Sequence, residues 1–519
     1  MKNDWLKSAI FYEIYPTSFY DSNGDGIGDL KGITQKLDYI KNLGCNAIWI
    51  NPCFCSPFRD GGYDISDYKK INPKFGTNQD AADLCKRARE LGIKVLFDLV
   101  PGHTSDEHPW FKESAKANPS KYKDYYIWTE GALEMGTPDI RTINGMQERD
   151  GAYAINFFAF QPSLNYGFVD PTESWQIDYR DDRLKPLRDE LVDIMNFWLD
   201  IGCDGFRIDM AWSLVKNDKD GSANAWLWSK ILSKVREKHP DALFIPETGW
   251  PFATIAGGFD MDFCFQINEP YYTLVRHEKG TNNAAFAMKG KNYFSSQGEG
   301  SIECFAKEYP KWLEFVKDRG YIAMPSGNHD IPRLSYNRDE LDQKIFFAFL
   351  LTIPTVPFIY YGDEIGMKYQ KGLLTKDGGY LRTGSRTPMQ WNESKNKGFS
   401  CCDMDKLYLP VDLDGESVES QEKCKTSLLN FIKNLIKFRK EENITAESSL
   451  EIITQDSQGY PAAFKVDDIV TVIQPASRQA EIKLEGDYKI IFHENADFVE
   501  DKVIFKNKGY IVMKKMTKN

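Results

Sequence analysis

Short apolar runs alternate with helix-period patterns along the first four-fifths of the chain. Eight runs have the length of a β-strand, at residues 11–15, 46–50, 94–100, 206–209, 243–247, 261–265, 321–324 and 356–361. Amphipathic patterns such as 30–43 and 79–91 lie between them and predict helices. Because alternating strands and helices are typical of parallel βα units, the chain is predicted to form an α/β fold, a closed (β/α)8 TIM barrel.

The spacing of these runs also predicts two additions to the barrel. About a hundred residues separate the third run from the fourth, and this stretch is rich in Asn, Tyr, Pro and Gly, which predicts an inserted subdomain at 104–170. Short β-runs after the last predicted barrel helix indicate a C-terminal antiparallel β domain at 444–519. The catalytic barrel is then predicted to comprise residues 1–103 and 171–443.

Composition and charge exclude several classes of protein. The 519 residues are 42% hydrophobic, which excludes a disordered chain, and the net charge of -11 argues against a nucleic-acid partner. The longest apolar run, 345–361, contains Pro354 and Pro357 and is too short to cross a membrane, so no membrane partner is expected. No targeting segment begins the chain, and ten scattered cysteines predict free thiols and a cytoplasmic location.

Acidic residues close three of the predicted strands. Asp209 ends the fourth strand, Glu247 ends the fifth, and Asp330 follows the seventh. Catalytic groups of such barrels lie at the C-terminal strand ends, and two facing carboxyl groups can hydrolyse a glycosidic bond. Arg207, two residues before Asp209, is expected to face the same way and to keep that carboxylate ionised. Each acid alone could instead cap a helix or join an ion pair.

Several ordered motifs extend this interpretation from about residue 5 to the end of the barrel. They read FYEIYPTSFYDSNGDGIGDLKGI, GYDISDY, DLVPGHTS, GFRIDM, PET, GNHDIPR, PFIYYGDEIGM and RTPMQW. Together they resemble the α-amylase superfamily of retaining glycoside hydrolases, and most closely its oligo-1,6-glucosidase and α-glucosidase branch.

The resemblance implies an exo-acting retaining α-glucosidase. Such an enzyme releases glucose from the non-reducing end of a disaccharide or small α-gluco-oligosaccharide through a covalent glucosyl-enzyme. By match to the family motifs, Asp209 is the nucleophile, Glu247 is the general acid/base, and Asp330 stabilises the transition state. No organic cofactor is implied.

The same resemblance implies residues that bind the glucose unit. Arg207, His103 and His329 match positions that line the site. Asp64 and Arg386 match a pair that closes the pocket and grips the non-reducing glucose, which favours removal of one glucose at a time.

The reaction and the linkage stay open at this level. A glucosyl-transferring isomerase or transglucosidase, such as a trehalose synthase or sucrose isomerase, would use the same acids. Met210 follows the nucleophile where relatives have Val or Ala, so the linkage is open, with α-1,6 preferred. Trp212 and Trp250 either stack on the leaving sugar or pack internally. A non-catalytic scaffold is disfavoured because the three acids are intact.

An acidic loop near the N-terminus resembles the first part of an EF-hand. Its alternating oxygen side chains and central glycine suit Ca²⁺, and in the resembled branch this loop holds a structural Ca²⁺. The glutamate expected at position twelve is replaced by Gly32. A metal-free loop of Asx turns is the alternative. The predicted ligands are Asp21, Asn23, Asp25, Asp29 and the carbonyl of Ile27.

Overall fold

The computed structural model describes residues 3–118, 121–134, 136–276 and 291–516. The strands are β1 (Phe11–Ile14), β2 (Ala47–Ile50), β3 (Phe54–Cys55), β4 (Asp67–Ile71), β5 (Lys94–Leu99), β6 (Thr142–Asn144), β7 (Ala152–Ala154), β8 (Gly205–Ile208), β9 (Leu243–Pro246), β10 (Met261–Phe263), β11 (Tyr321–Pro325), β12 (Val356–Tyr360), β13 (Glu451–Thr454), β14 (Ala462–Val466), β15 (Ile469–Gln474), β16 (Ala480–Lys483), β17 (Tyr488–Val499) and β18 (Lys502–Lys515). The helices are α1 (Leu30–Leu43), α2 (Asn78–Glu90), α3 (Pro109–Ser114), α4 (Lys185–Ile201), α5 (Ser222–Lys238), α6 (Pro251–Thr254), α7 (Glu269–Val275), α8 (Glu303–Val316), α9 (Glu340–Leu350), α10 (Val418–Lys423) and α11 (Leu428–Glu441).

Eight parallel strands form the barrel, in the order β10-β11-β12-β1-β2-β5-β8-β9. The two ends of this order meet where the amide of Asp260, just before β10, donates to the carbonyl of Phe244 in β9 at 3.0 Å. Every residue of these strands is buried except Lys94, which is partly exposed. Strands buried on both faces have no polar side to alternate with, which explains the continuous apolar runs in the sequence. The predicted (β/α)8 barrel is confirmed.

Local signals in the sequence fix where the barrel helices begin and end. Asp29 caps the N-terminus of α1 by accepting a hydrogen bond from the Gly32 amide, and Gly44 ends this helix at φ 106°. That left-handed conformation costs glycine little because it has no Cβ. Thr77 and Asp80 form a reciprocal capping box at the start of α2.

The inserted subdomain lies between β5 and β8, as predicted. It contains α3 and the antiparallel pair β6 and β7. Its backbone is joined to the end of the third barrel strand, because Leu164 donates to the carbonyl of Gly102 at 3.0 Å and His103 bridges Ser163. The insertion therefore stands over the C-terminal mouth of the barrel. The residue boundaries of the domains stay predictions.

A six-stranded antiparallel sheet, β13 to β18, ends the chain and confirms the predicted C-terminal β domain. Strands β17 and β18 are far longer than their apolar runs at 488–492 and 509–513 indicated. Half of the residues of β17 are solvent-exposed, so its pattern loses apolar character although backbone pairing with β18 continues to Val499. The sheet packs on the barrel helices, for example through Phe349 and Phe464, whose ring centroids are 5.0 Å apart.

Two findings concern the predictions about membrane association and thiol state. None of the described helices combines the length and apolar character that a bilayer-crossing segment needs. All ten cysteines are free thiols. The cytoplasmic location stays a prediction.

Candidate active site

The ends of neighbouring barrel strands bring the predicted acids together. Asp209 and Glu247 each lie one residue beyond their strands, β8 and β9, and their amides continue the ladder to Leu99 and Ile208 at 2.8 Å. Both side chains therefore stand at the C-terminal mouth of the barrel. They open into a pocket of about 210 Å³. The pocket is lined by Asp60, Tyr63, His103, Phe157, Phe158, Asp209, Met210, Glu247, Asp330, Tyr380 and Arg382.

One guanidinium group connects the acids on the pocket floor. Arg207 Nη1 lies 3.0 Å from Asp209 Oδ1 and 2.9 Å from Asp98 Oδ1. Its Nη2 lies 2.8 Å from Glu247 Oε2. The Arg207 side chain is buried, so these charge-assisted hydrogen bonds are little screened by solvent. The arginine thus fixes the separation of the two carboxyl groups that the sequence predicts to react.

Burial and neighbouring charges act on Asp209 in opposite directions. Burial, together with the negative charge of Glu247, raises the pKa of Asp209 well above its usual range, while the charge of Arg207 lowers it. Burial and the neighbouring acid thus outweigh the effect that the sequence leads one to expect from Arg207. The amide of Met210 also donates to Glu247 Oε2 at 3.1 Å.

Asp330 has a different electrostatic environment. Its Oδ1 lies 2.9 Å from Arg382 Nη1 and 3.3 Å from Arg386 Nη2. Burial disfavours its charged form, but the neighbouring side chains of His329, Arg382 and Arg386 outweigh burial and lower the pKa of Asp330 below its usual range. The third acid is therefore a carboxylate at neutral pH and can face a developing positive charge.

The two predicted histidines occupy different places. His103 lines the pocket, with Nε2 2.9 Å from the carbonyl oxygen of Tyr63 and Nδ1 3.0 Å from Asn156 Nδ2. His329 is buried behind the pocket wall, with Nδ1 2.8 Å from Glu13 Oε1 and Nε2 2.7 Å from the Tyr63 hydroxyl. His329 therefore orients Tyr63, while His103 itself faces the cavity.

The predicted pairing of Asp64 with Arg386 is wrong. The Asp64 side chain is fully buried and accepts hydrogen bonds from the Ser56 hydroxyl at 2.8 Å and from the amides of Arg59 and Asp60 at 3.1 and 3.2 Å. It thus holds a loop together rather than facing the pocket, and burial raises its pKa to about 6. Arg386 is also buried, and its Nε donates to the carbonyl of His329 at 2.9 Å.

Asp60 and Arg382 instead close the end of the pocket. Arg382 Nη2 lies 2.8 Å from Asp60 Oδ1, while its Nη1 contacts Asp330. Gln161 donates to the other Asp60 oxygen at 2.8 Å. Asp60 and Arg382 each lie four residues before the residue predicted from the sequence, Asp64 and Arg386 respectively. The sequence contains a signal for both residues, since an acid precedes GYD and an arginine precedes RTPMQW. The motifs alone do not show which acid and which arginine form the pair.

Trp212 and Trp250 lie outside this pocket. Their exposed fractions are 49% and 37%, so neither is an internal packing residue. Both line a small crevice of about 20 Å³ beside the segments that follow Asp209 and Glu247.

The predicted calcium loop is held by hydrogen bonds of its own. The two Asp21 oxygens accept from the amides of Asn23, Gly24 and Gly26 and from the Ser400 hydroxyl, at 2.6 to 3.1 Å. Asp29 accepts from the Ser22 amide and hydroxyl and caps α1. These contacts use the roughly four acceptor sites of each carboxylate. Within the described ranges, no three His, Cys, Asp or Glu side chains form a group that could hold a metal ion. Both carboxylates are thus hydrogen-bonded within the protein, and the bound Ca²⁺ stays a prediction.

A closed parallel barrel whose strand ends present paired, buried carboxyl groups bridged by an arginine is the architecture of a retaining glycosidase-type enzyme. Residues 13–448 match the model of the alpha-amylase catalytic domain, and the chain belongs to the α-amylase family of glycoside hydrolases and glucosyl-transferring enzymes.

Relatives of both kinds are similar to this chain. It is 33% identical over 477 residues to the trehalose synthase/amylase of Mycolicibacterium smegmatis, covering 84% of this chain and 76% of that protein. It is 30% identical over 544 residues to the glucan 1,6-alpha-glucosidase of Streptococcus pneumoniae, covering 95% and 96%. The crystal structure of the trehalulose synthase of Pseudomonas mesoacidophila has a TM-score of 0.80 at 25% identity, covering 98% and 99%.

Proposed function

We propose that this protein is an exo-acting retaining α-glucosidase that releases glucose from the non-reducing end of α-glucosides. The observation that carries the proposal is the small, closed pocket above the paired acids. Its volume of about 210 Å³ lies below the roughly 300 Å³ at which pockets for drug-sized ligands begin, which suits one sugar ring. The ion pairs of Arg382 with Asp60 and Asp330 form its end wall, so a chain has no path beyond the bound glucose.

The proposed reaction has two displacements. The Asp209 carboxylate attacks the anomeric carbon while Glu247 gives its proton to the glycosidic oxygen, the C1–O bond breaks, and a β-glucosyl ester forms. Water then attacks the same carbon, its proton passes to Glu247, and Asp209 leaves as a carboxylate with α-glucose released. The negative charge of Asp330 stabilises the oxocarbenium-like transition state in both steps.

A glucosyl-transferring isomerase is the second candidate. It is supported by the relatives named trehalose synthase and trehalulose synthase. Both reactions pass through the same ester and differ in whether water or the retained sugar attacks it. The purified protein should be incubated with isomaltose, maltose, sucrose and trehalose, and the products followed by NMR. We expect free α-glucose, with isomaltose preferred over maltose. An isomeric disaccharide without free glucose would favour the isomerase, and initial β-glucose would exclude a retaining mechanism.

We also retain the sequence prediction of one Ca²⁺ in the loop at 21–29. Its support is the alternation of oxygen side chains, and binding would require the hydrogen bonds of Asp21 and Asp29 to open. Calcium titration by calorimetry and melting with and without a chelator test this. One bound ion and a lower melting temperature in chelator are expected if the loop binds calcium. No heat of binding and an unchanged melting temperature would leave the Asx-turn loop as the correct description.

A further inference from the structure

A buried glutamic acid behind the pocket wall takes no part in the proposed reaction. Glu13 lies in β1 and is completely buried. Its Oε1 lies 2.8 Å from Nδ1 of His329, which is also buried. The other ring nitrogen, Nε2, lies 2.7 Å from the hydroxyl of Tyr63, and Tyr63 lines the pocket. Glu13 is therefore connected to the pocket wall through the imidazole ring.

The hydroxyl of Tyr63 determines which nitrogen of His329 carries a proton. Tyr63 has one proton to donate, and it donates this proton to Asp98 Oδ2 at 3.0 Å. The Asp98 carboxylate also accepts from the indole of Trp49 at 3.1 Å and from Arg207 Nη1 at 2.9 Å. Because Asp98 is the acceptor in these contacts, the Tyr63 oxygen is left to accept from His329. Nε2 of the imidazole therefore carries the proton.

His329 carries only this one proton. Burial lowers its pKa well below its usual range. The guanidinium groups of Arg207, Arg382 and Arg386 also oppose a second positive charge on the ring. The carboxylate of Asp330, with Oδ2 3.4 Å from Nε2, favours that charge but does not outweigh burial. The imidazole is therefore neutral, and its Nδ1 presents a lone pair.

We propose that Glu13 is a protonated carboxylic acid that donates a hydrogen bond to Nδ1 of His329 and thereby acts as a positioning residue for Tyr63. Two hydrogen-bond acceptors do not approach each other to 2.8 Å, so Oε1 must carry the proton that Nδ1 lacks. Burial supports this state, because it raises the pKa of Glu13 well above its usual range. The side-chain amide nitrogen of Asn51 faces the same two atoms, 3.2 Å from Oε1 and 3.0 Å from Nδ1.

The catalytic part of this inference rests on the proposed function, because it assumes that Tyr63 borders the bound glucose. Glu13 donates to His329, and His329 donates to Tyr63. Tyr63 then donates to Asp98, which shares Arg207 with the paired acids. The protonated glutamic acid thus begins a chain of donors that fixes the direction of the Tyr63 hydroxyl beside these acids.

The protons on His329 can be observed without any substrate. Protein labelled with ¹⁵N-histidine should be studied by NMR, with the His329 signals assigned by their loss in His329→Asn. We expect a proton on Nε2 and none on Nδ1 between about pH 5 and 8. A doubly protonated ring at neutral pH, or a proton on Nδ1, would overturn the proposal. If the protein hydrolyses no α-glucoside, the proposed function fails, while this measurement still decides the hydrogen bond.

The proton on Glu13 has an infrared signature of its own. The difference spectrum of the wild type against Glu13→Gln should contain the carbonyl band of a protonated carboxyl group at neutral pH. The bands of an ionised carboxylate in its place would show that Glu13 is charged and would overturn the proposal.

Two substitutions of Glu13 separate hydrogen bonding from charge. Glutamine has the same shape, and its amide can donate to Nδ1 but cannot ionise, so Glu13→Gln should retain kcat/KM within about twofold and keep the wild-type pH profile. Glu13→Met removes the donor and leaves Nδ1 with the Asn51 amide alone. It should lower kcat/KM about three- to tenfold, the range for loss of one buried hydrogen bond. An equal fall in both variants would overturn the donor role, and wild-type kinetics in folded Glu13→Met would overturn the positioning role.

Glu364 provides a matched control. It is also a completely buried glutamate, but it does not line the pocket. Its Oε1 accepts from the hydroxyls of Tyr12 and Tyr39, each at 2.7 Å. Glu364→Met should lower the melting temperature and leave kcat/KM within about twofold, because no hydrogen bond at the pocket is lost. A fall in kcat/KM equal to that of Glu13→Met would trace both losses to stability and would overturn the positioning role.

Discussion

Replacement of Arg382 by glutamine tests the closed end of the pocket. The arginine side chain is only 11% exposed and pairs with Asp60 at 2.8 Å and with Asp330 at 2.9 Å. A hydrogen bond to a charged group contributes about 1.5–3 kcal/mol. Both acids keep another partner, Gln161 and Arg386 respectively, so we expect a loss of about 2–4 kcal/mol of transition-state stabilisation, or about 30- to 700-fold in kcat/KM.

The pH profile of Arg382→Gln provides a second readout. The charge of Arg382 contributes to the lowered pKa of Asp330, so its removal raises that pKa. Asp330 keeps Arg386 as a second cationic partner, and the pKa of Asp209 is raised, so Asp209 rather than Asp330 should set the acid limb of the kcat/KM profile. The acid limb of the variant should therefore stay at the wild-type pH while kcat/KM falls. A limb that moves to higher pH in the variant would show that Asp330 sets it and would contradict this assignment.

The control for this experiment is Arg59→Gln. Arg59 also pairs with an acid, Asp106, but it does not line the pocket. We expect this variant to retain kcat/KM within about twofold and to keep the wild-type pH profile, since Arg59 and its partners Asp106 and Ser105 do not line the pocket. Melting curves of both variants establish that they are folded. Wild-type kinetics in folded Arg382→Gln would refute the closed pocket. So would the early appearance of mid-sized oligosaccharides when the wild type is incubated with long glucans.

The remaining predictions concern the paired acids and the buried loop. Asp209→Asn and Glu247→Gln should each lower kcat by several orders of magnitude while the melting temperature stays near that of the wild type, and normal turnover in either folded variant would contradict its assigned role. Asp64 has a pKa raised from 3.8 to about 6, so its stabilising contribution is complete below about pH 4 and is lost as the pH rises through about 6. The melting temperature of the wild type should therefore fall relative to Asp64→Asn between these pH values, and a constant difference would show that Asp64 does not titrate there.

Much of the fold can be predicted from local patterns in the sequence. The eight barrel strands are buried on both faces, so each appears as a short, mainly apolar run that can be recognised without knowledge of its neighbours. The C-terminal strands were predicted in part, because half of the residues of β17 are exposed and its pairing is made by backbone groups, which do not alter the side-chain pattern.

The positions of the paired acids could be predicted for a related reason. Parallel strands in a barrel end at one mouth, so Asp209 and Glu247, which directly follow two strands, had to lie near each other once the barrel was inferred. Arg207, two residues before Asp209, had to face the same interior and does contact both acids. In regular secondary structure, the position of a residue in the chain determines where its side chain lies in space.

In loops, position in the chain does not determine position in space, so the tertiary structure decides which residue faces the pocket. Asp60 and Asp64 lie four residues apart, as do Arg382 and Arg386, and either member of each pair could have faced the pocket. Asp64 points inward because its carboxylate accepts hydrogen bonds from the loop amides, and Asp60 pairs with Arg382 instead. The pocket likewise has walls from the insertion and from the segment after β8. Its shape depends on how these distant segments pack, and a one-dimensional pattern cannot specify that contact.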